Sequence, residues 1–212
     1  MMILHDYILS SDCYKVRLLI AMLGLKVELR KINVFPGHEL DSLAFRLLNP
    51  LGRIPVLEDD ELVLREPGAI LTYLSLRHGP PNTWLPDDPA RHAEVVLWLE
   101  FASRELEPVS RLRFDAITGV GPAPAGDVEK THAALAVLED HLAALEITGA
   151  DWLVGNAPTL ADLAVFAPVA LAPDAEIPLD TYPAIWRWIG RVKTLPGFIV
   201  MPGVMPSLVG VV

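Results

Sequence analysis

A small α/β domain followed by an all-helical domain is the fold class this 212-residue sequence predicts, on three observations. Over the first 80 residues the apolar side chains switch between a period of two and a period near 3.6, as they do where strands and helices succeed one another. Gly79-Pro80-Pro81-Asn82-Thr83-Trp84-Leu85-Pro86-Asp87-Asp88 then breaks the pattern, because proline lacks an N–H and fixes φ, so no helix runs through it. Beyond this stretch only the helical period recurs. The expected organisation is a first domain at residues 1–79, a linker at 80–88 and a second domain at 89–212.

In the first domain a short strand is expected over Met2 to His5. From Asp12 to Leu23, Val16, Leu19, Ile20 and Leu23 fall at i, i+3, i+4 and i+7, an amphipathic helix that Gly24 ends. Val27 to Val34 alternates as a strand, and a weaker helix follows over Leu40 to Leu48. Asn49-Pro50-Leu51-Gly52 marks a turn. Pro55-Val56-Leu57 and Leu62-Val63-Leu64 flank the acidic turn Glu58 to Glu61 as a hairpin. A helix from Pro67 to Arg77, with Ile70, Tyr73 and Leu74 on one face, completes the order βαβαββα.

In the second domain Val95, Trp98, Leu99, Ala102 and Leu106 share one helical face, as do Leu135, Leu138, Leu142 and Leu145, and then Ile185, Trp188, Ile189 and Val192. Pro108 should interrupt the first of these helices, and the Pro/Gly-rich run Gly119 to Gly126 should separate it from the next. Thr159-Leu160-Ala161-Asp162 reads as a variant capping box, an acid three residues after a threonine N-cap.

Composition narrows the function classes. The net charge is −10, which opposes attraction to a phosphate backbone, and no basic stripe interleaved with aromatics offsets it, so nucleic acid is not an expected partner. The charge is uneven: residues 1–80 hold 9 basic and 10 acidic residues of the chain's 17 and 27, so an anionic ligand is better tolerated there. No apolar run reaches the roughly 18 to 20 residues that span a bilayer, and the start, Met1-Met2-Ile3-Leu4-His5-Asp6, lacks a basic segment followed by an apolar one. Cys13 is the one cysteine and there is no Cys/His cluster at metal-ligand spacing, so neither an internal disulfide nor a metal is expected and a reducing cytoplasm fits.

Four segments occur in a fixed order: Ser10-Ser11-Asp12-Cys13-Tyr14-Lys15-Val16-Arg17, Asn49-Pro50-Leu51-Gly52-Arg53-Ile54-Pro55-Val56-Leu57, Glu66-Pro67-Gly68-Ala69-Ile70-Leu71-Thr72-Tyr73-Leu74, and Pro158-Thr159-Leu160-Ala161-Asp162-Leu163-Ala164. Together they resemble the cytosolic glutathione transferase superfamily: its active-site loop, its cis-proline segment, its glutathione-carboxylate motif and the N-cap of its core helix. The resemblance extends to about Phe198. It implies a thioredoxin-like, glutathione-binding first domain, a helical-bundle second domain that contributes an electrophile pocket, glutathione as co-substrate, and a homodimer packed through residues 66–77 and 89–115.

Under that resemblance Ser10, six residues before Val16, is the catalytic hydroxyl. A thiol with a pKa near 8.5 is only a few per cent ionised at pH 7, so a hydroxyl donating to sulfur raises the thiolate fraction, and the adjacent helix N-terminus helps. Capping that helix is the competing role for Ser10 or Ser11. Tyr7 offers a rival hydroxyl but sits at a strand end. Cys13 has no resolving partner and reads as a packing residue.

Ile54-Pro55 is the expected cis peptide, with Ile54 pairing its backbone to the cysteinyl part of glutathione like an added strand. Arg53 is placed to meet a carboxylate, or else solvent. Glu66 occupies the position that holds the glutamyl ammonium. At the next position most members carry Ser or Thr, whereas Pro67 supplies neither hydroxyl nor N–H, leaving the N–H groups of Gly68 and Ala69 to face an anion. Ser11 and His38 complete the glutathione contacts, with a surface histidine the alternative for His38. Phe101, Leu106 and Ser110 are candidates for the electrophile pocket or for core. The expected activity is conjugation of glutathione to a small hydrophobic electrophile. Two other readings stand beside it: a glutathione-dependent disulfide reductase or isomerase, and a non-catalytic binding protein for which Pro67 argues.

Overall fold

The computed structural model describes residues 1–121 and 124–204. Pro122 and Ala123, inside the expected breaker Gly119 to Gly126, and the last residues of the second expected domain, 205–212, lie outside the described residues.

The first part of the chain runs β1 (Met2–Asp6), α1 (Ser11–Met22), β2 (Glu28–Lys31), α2 (Leu43–Leu48), β3 (Val56–Asp59), β4 (Leu62–Arg65) and α3 (Pro67–His78), the βαβαββα order read from periodicity. The strands form one four-stranded mixed sheet in the order β2-β1-β3-β4. β1 and β2 are parallel with Leu4 opposite Leu29, and the other two pairs are antiparallel, with Leu57 opposite Leu4 and Leu64. The hairpin turns at Asp60, whose φ is +50°. α1 stops where expected: the N–H of Leu25 donates to the Ile20 carbonyl and Gly24 takes φ +64°, a left-handed stop that costs glycine little.

Two elements differ from the sequence reading. The strand expected over Val27 to Val34 pairs only from Glu28 to Lys31, because β2 is an edge strand whose single neighbour, β1, ends at Asp6 opposite Lys31. The helix expected over Leu40 to Leu48 is split into a 3-10 turn, Glu39–Asp41, and α2. Ser42 makes the break: its extended backbone and its hydroxyl, which accepts from the Phe45 amide at 3.2 Å, start a new helix.

After Gly79 to Asp88 the chain is helical: α4 (Pro89–Arg104), α5 (Glu107–Thr118), α6 (Asp127–Ile147), α7 (Leu160–Ala170) and α8 (Pro183–Val192), with a 3-10 turn at Ala172–Ala175. Pro108 lies in the first turn of α5, where its missing N–H costs nothing. None of the described helices is long and apolar enough to cross a membrane.

α7 is the centre of the packing. Every side chain from Leu160 to Val169 is buried, and the helix meets α1 and α3 on one side and α4, α5 and α8 on the others, so one core spans both parts of the chain. The capping box read from the sequence fixes its start. Asp162 accepts from the Thr159 and Leu153 amides at 2.9 and 3.1 Å and from the Trp188 indole N–H at 2.9 Å. Its burial pushes the carboxyl above the usual range, against the pull of these donors.

Candidate active site

One cleft, of about 1330 Å³, lies where the α/β part meets α4 and α5. Its first wall is built from Asp12 and Lys15 of α1, the loop Gly52 to Pro55, and the start of α3 from Glu66 to Ala69. Its second wall is Val96, Leu99, Ala102 and Ser103 of α4 with Ser110, Arg111 and Phe114 of α5.

The loop into α1 is fixed by its own polar groups. The Ser10 amide donates to the Tyr7 carbonyl at 2.9 Å. The Ser10 hydroxyl is the α1 N-cap, accepting from the Cys13 amide at 3.2 Å, so the capping role is realised, while the hydroxyl proton remains available to donate. Ser11 is buried, and its hydroxyl shares a 2.9 Å hydrogen bond with that of Ser110 across the two parts of the chain. Ser10 and Ser11 are therefore set just beside the cleft wall, which on this helix begins at Asp12. Cys13 is fully buried. Burial, with Asp6 adding to it, pushes its thiol up to about 12, which leaves it protonated and inert at neutral pH.

The second loop is clamped by Asn49, itself almost fully buried. Its side-chain amide donates to the Arg53 carbonyl at 2.7 Å and its oxygen accepts from the Leu51 amide at 3.1 Å. Ile54-Pro55 is cis, as expected from the sequence, and Phe35-Pro36, which the sequence reading did not single out, is cis as well. Arg53, Ile54 and Pro55 all line the cleft.

Glu66 stands at φ +70°, ψ +127° before α3, a region that costs a non-glycine residue about 1–3 kcal/mol and clusters at ligand sites. Pro67 occupies the first helical position and no side chain caps the helix. The amides of Gly68 and Ala69 are thus left among the unpaired donors of this helix start, and both residues border the cleft.

Three of the candidate residues are placed elsewhere. His38 is exposed, at φ +51° before the 3-10 turn, and Leu40 two residues on takes the place in the cleft wall. Leu106 is fully buried, since the chain turns between α4 and α5 there and drives the side chain into the core. Phe101 packs edge-on against Trp98, ring centroids 5.0 Å apart, on the core side of α4. Ser110 alone of that trio lines the cleft.

The sequence reading passed over several wall residues. Lys15, buried, pairs with Asp12 at 2.7 Å, an i,i+3 contact on α1. Arg111 pairs with Glu107 and, at 2.9 Å, with the buried Asp127. Glu107, Ser110, Arg111, Phe114 and Asp115 all border the cleft. Their spacing of three, four and seven marks a single helix face, a signal that starting the helix at Pro108 would have exposed. No group of three or more potential metal-ligating side chains occurs among the described residues.

Comparison with known proteins matches residues 4–82 to the description "Glutathione S-transferase, N-terminal domain" and residues 117–196 to "Glutathione S-transferase, C-terminal domain". The chain is similar to a probable maleylacetoacetate isomerase of Vibrio cholerae, 30% identical over 93% of either chain. It is also similar to Glutathione S-transferase D6 of Drosophila melanogaster, 28% identical over 82% of this chain and 80% of the relative. Among solved structures, a glutathione S-transferase from Xanthobacter autotrophicus superposes with a TM-score of 0.84, at 32% identity, over 96% of this chain and 98% of that one.

Proposed function

The chain belongs to the glutathione S-transferase family, and from that premise we propose that it conjugates reduced glutathione to a small hydrophobic electrophile, with Ser10 stabilising the thiolate. In this reading residues 1–79 bind glutathione, 80–88 link, and the helical remainder supplies the electrophile wall. The observation that carries the proposal is convergence: the uncapped α3 start, the Ile54 backbone and an apolar wall of Leu99, Ala102 and Phe114 all border one cleft.

The glutamyl carboxylate would lie against the Gly68 and Ala69 amides, with the α3 dipole behind them. Its ammonium would meet Glu66. The backbone of Ile54 would pair with the cysteinyl residue, and Arg53 would face the remaining carboxylate. That places the sulfur toward the start of α1. There Ser10 donates its free hydroxyl proton to sulfur while its oxygen keeps accepting from the Cys13 amide. The thiol proton leaves to solvent, and a sulfur lone pair forms the new bond to carbon as the bond from that carbon to its leaving group breaks, the leaving group departing to solvent with that electron pair. The protein contributes proximity and charge stabilisation.

The charges of the second wall support a neutral, apolar electrophile. Arg111 is already paired with Glu107 and Asp127, and Glu100, Glu107 and Asp115 share that side, so an electrophile carrying carboxylates would meet net negative charge. The isomerase and disulfide-reductase reading rests on the Ser10-Ser11 loop, but its cysteine, Cys13, is buried and unreactive. Exposed Leu76 on α3 and Val96 and Leu97 on α4 support a homodimer through these helices, which sedimentation tests: a monomer at every concentration overturns it. A lone buried thiol without a disulfide supports a cytoplasmic setting.

Calorimetric titration with reduced glutathione, then conjugation, isomerisation and disulfide-reduction assays on the same sample, tests the function. Binding with conjugation as the fastest activity is expected. Binding with only reduction or isomerisation sinks the transferase assignment, and no binding at millimolar glutathione favours a non-catalytic protein.

A further inference from the structure

The loop that presents Ser10 has no side chain of its own holding its carbonyls; two buried guanidiniums hold them instead. Arg17 pairs with the Asp6 carboxylate and donates to the carbonyls of Tyr7 at 3.3 Å and Ile8 at 3.2 Å. Arg113, on α5 and just as buried, donates to the next carbonyl, that of Leu9. Its two other nitrogens reach the Asp174 carboxylate at 2.9 Å and the Pro202 carbonyl at 3.0 Å. Three consecutive carbonyls leading into Ser10 are thus satisfied, two from within the α/β part and one from the helical part.

α5 touches this loop twice. Ser110 lies three residues before Arg113, on the same helix face, and its hydroxyl meets that of Ser11. One helix of the second wall therefore grips the residue before Ser10 and the residue after it. We propose that Arg113 is a positioning residue for Ser10, setting the distance between its hydroxyl and a thiol held on the other side of the cleft and tying that distance to the segment around Pro202. The inference rests on the reading of Ser10 as the thiolate-stabilising hydroxyl.

The fork geometry explains why arginine stands here. Five N–H donors in a rigid plane serve a carboxylate and two carbonyls at once, which a lysine ammonium at the same point does not reproduce. An apolar residue would leave a half-buried Leu9 carbonyl without its guanidinium donor, and the loop would move to find water. A displacement of about 1 Å costs on the order of a hundredfold in rate when a reacting group is involved. Because glutathione binds through the other loops, the loss should fall on kcat and on the acidity of the bound thiol, with little change in KM.

Arg113→Met and Arg113→Lys are compared with wild type and with Trp188→Phe, which loosens the core at the far end of α7 without touching the loop. For each, bound-thiolate ultraviolet absorbance is followed against pH, kcat and KM are separated, and amide hydrogen exchange is measured at Ser10 and Ser11. Arg113→Met should lower kcat about tenfold, less than a full ångström of misplacement would, raise the apparent pKa of the bound thiol and speed exchange in the loop; Arg113→Lys should be intermediate and Trp188→Phe unchanged in all three. An Arg113→Met protein that matches Trp188→Phe in thiol pKa and loop exchange overturns the proposal. If Arg113→Met does not fold, Arg113→Lys and Asp174→Asn decide on the same readouts. If the wild type binds no glutathione, the Ser10 reading fails on its own, and unaltered exchange at Ser10 and Ser11 in the variants would overturn the clamp separately.

Discussion

α1 and α3 begin on the same cleft, yet their N-termini are built in opposite ways. α1 satisfies one of its own donors with the Ser10 hydroxyl; α3 has no side-chain cap, opens with Pro67 and is entered through Glu66 at positive φ. A helix that caps itself gains about 1 kcal/mol and offers an incoming anion one donor fewer. A helix left uncapped at a cleft keeps its donors for a ligand, at a cost in stability that the ligand offsets when it binds. On the proposed function, the difference separates two duties within one site: α3 would hold a charged group, and α1 would aim a hydroxyl.

Breaking the aiming side should give the largest effect. Ser10→Ala removes both the donor to sulfur and the cap, so turnover should fall at least about tenfold with a stability loss of about 1 kcal/mol. Ser11→Ala should do less, since its hydroxyl is engaged with Ser110. Steady-state kinetics beside thermal melting separates the two effects, and equal losses in both variants, or a loss confined to Ser11→Ala, would show that the wrong serine has been assigned.

The holding side should be improvable. Pro67→Ser adds a hydroxyl and an N–H at a position that now lacks both, and a hydrogen bond to a charged group is worth about 1.5 to 3 kcal/mol, so glutathione should bind about tenfold tighter. Losing proline's restriction of the unfolded chain costs about 0.4 to 1 kcal/mol. Calorimetry on both proteins decides; a folded serine variant with unchanged affinity would mean that Gly68 and Ala69 already saturate the carboxylate or that the carboxylate binds elsewhere.

The smallest effect sharpens what the α1 start does not do. Cys13 lies one turn from Ser10, but burial raises its thiol to about 12, above the ordinary 9 that it regains on unfolding. The unfolded chain then loses its proton first, so this residue's contribution to stability is intact below about pH 9 and falls as pH climbs from there toward 12. Cys13→Ala should flatten alkaline denaturation over that window, and a disulfide reagent at pH 8 should leave the folded thiol unmodified. Rapid labelling of the native protein would contradict the burial and reopen a redox role.

Local rules reach far in this chain because many of its signals are satisfied within a few residues. The Gly24 stop, the Thr159–Asp162 capping box and the proline start of α3 are decided by neighbours in sequence and are legible there, whereas the cis Ile54-Pro55 bond is legible only through the family resemblance. Periodicity likewise separated the α/β part from the helical part. It failed where a partner strand set the limit, as at β2, and where one hydroxyl, that of Ser42, restarted a helix.

Only the tertiary structure decided which side chains share the cleft. The sequence reading offers Phe101, Leu106 and Ser110 alike for pocket or core, and the turn between α4 and α5 separates them, with Leu106 and Phe101 in the core and Ser110 against Ser11. The same holds for Arg113, whose partners at Leu9, Asp174 and Pro202 lie 104, 61 and 89 residues away. A charged residue in a helix reads as solvated by every local rule, and its burial is set by carbonyls that the fold alone brings to it.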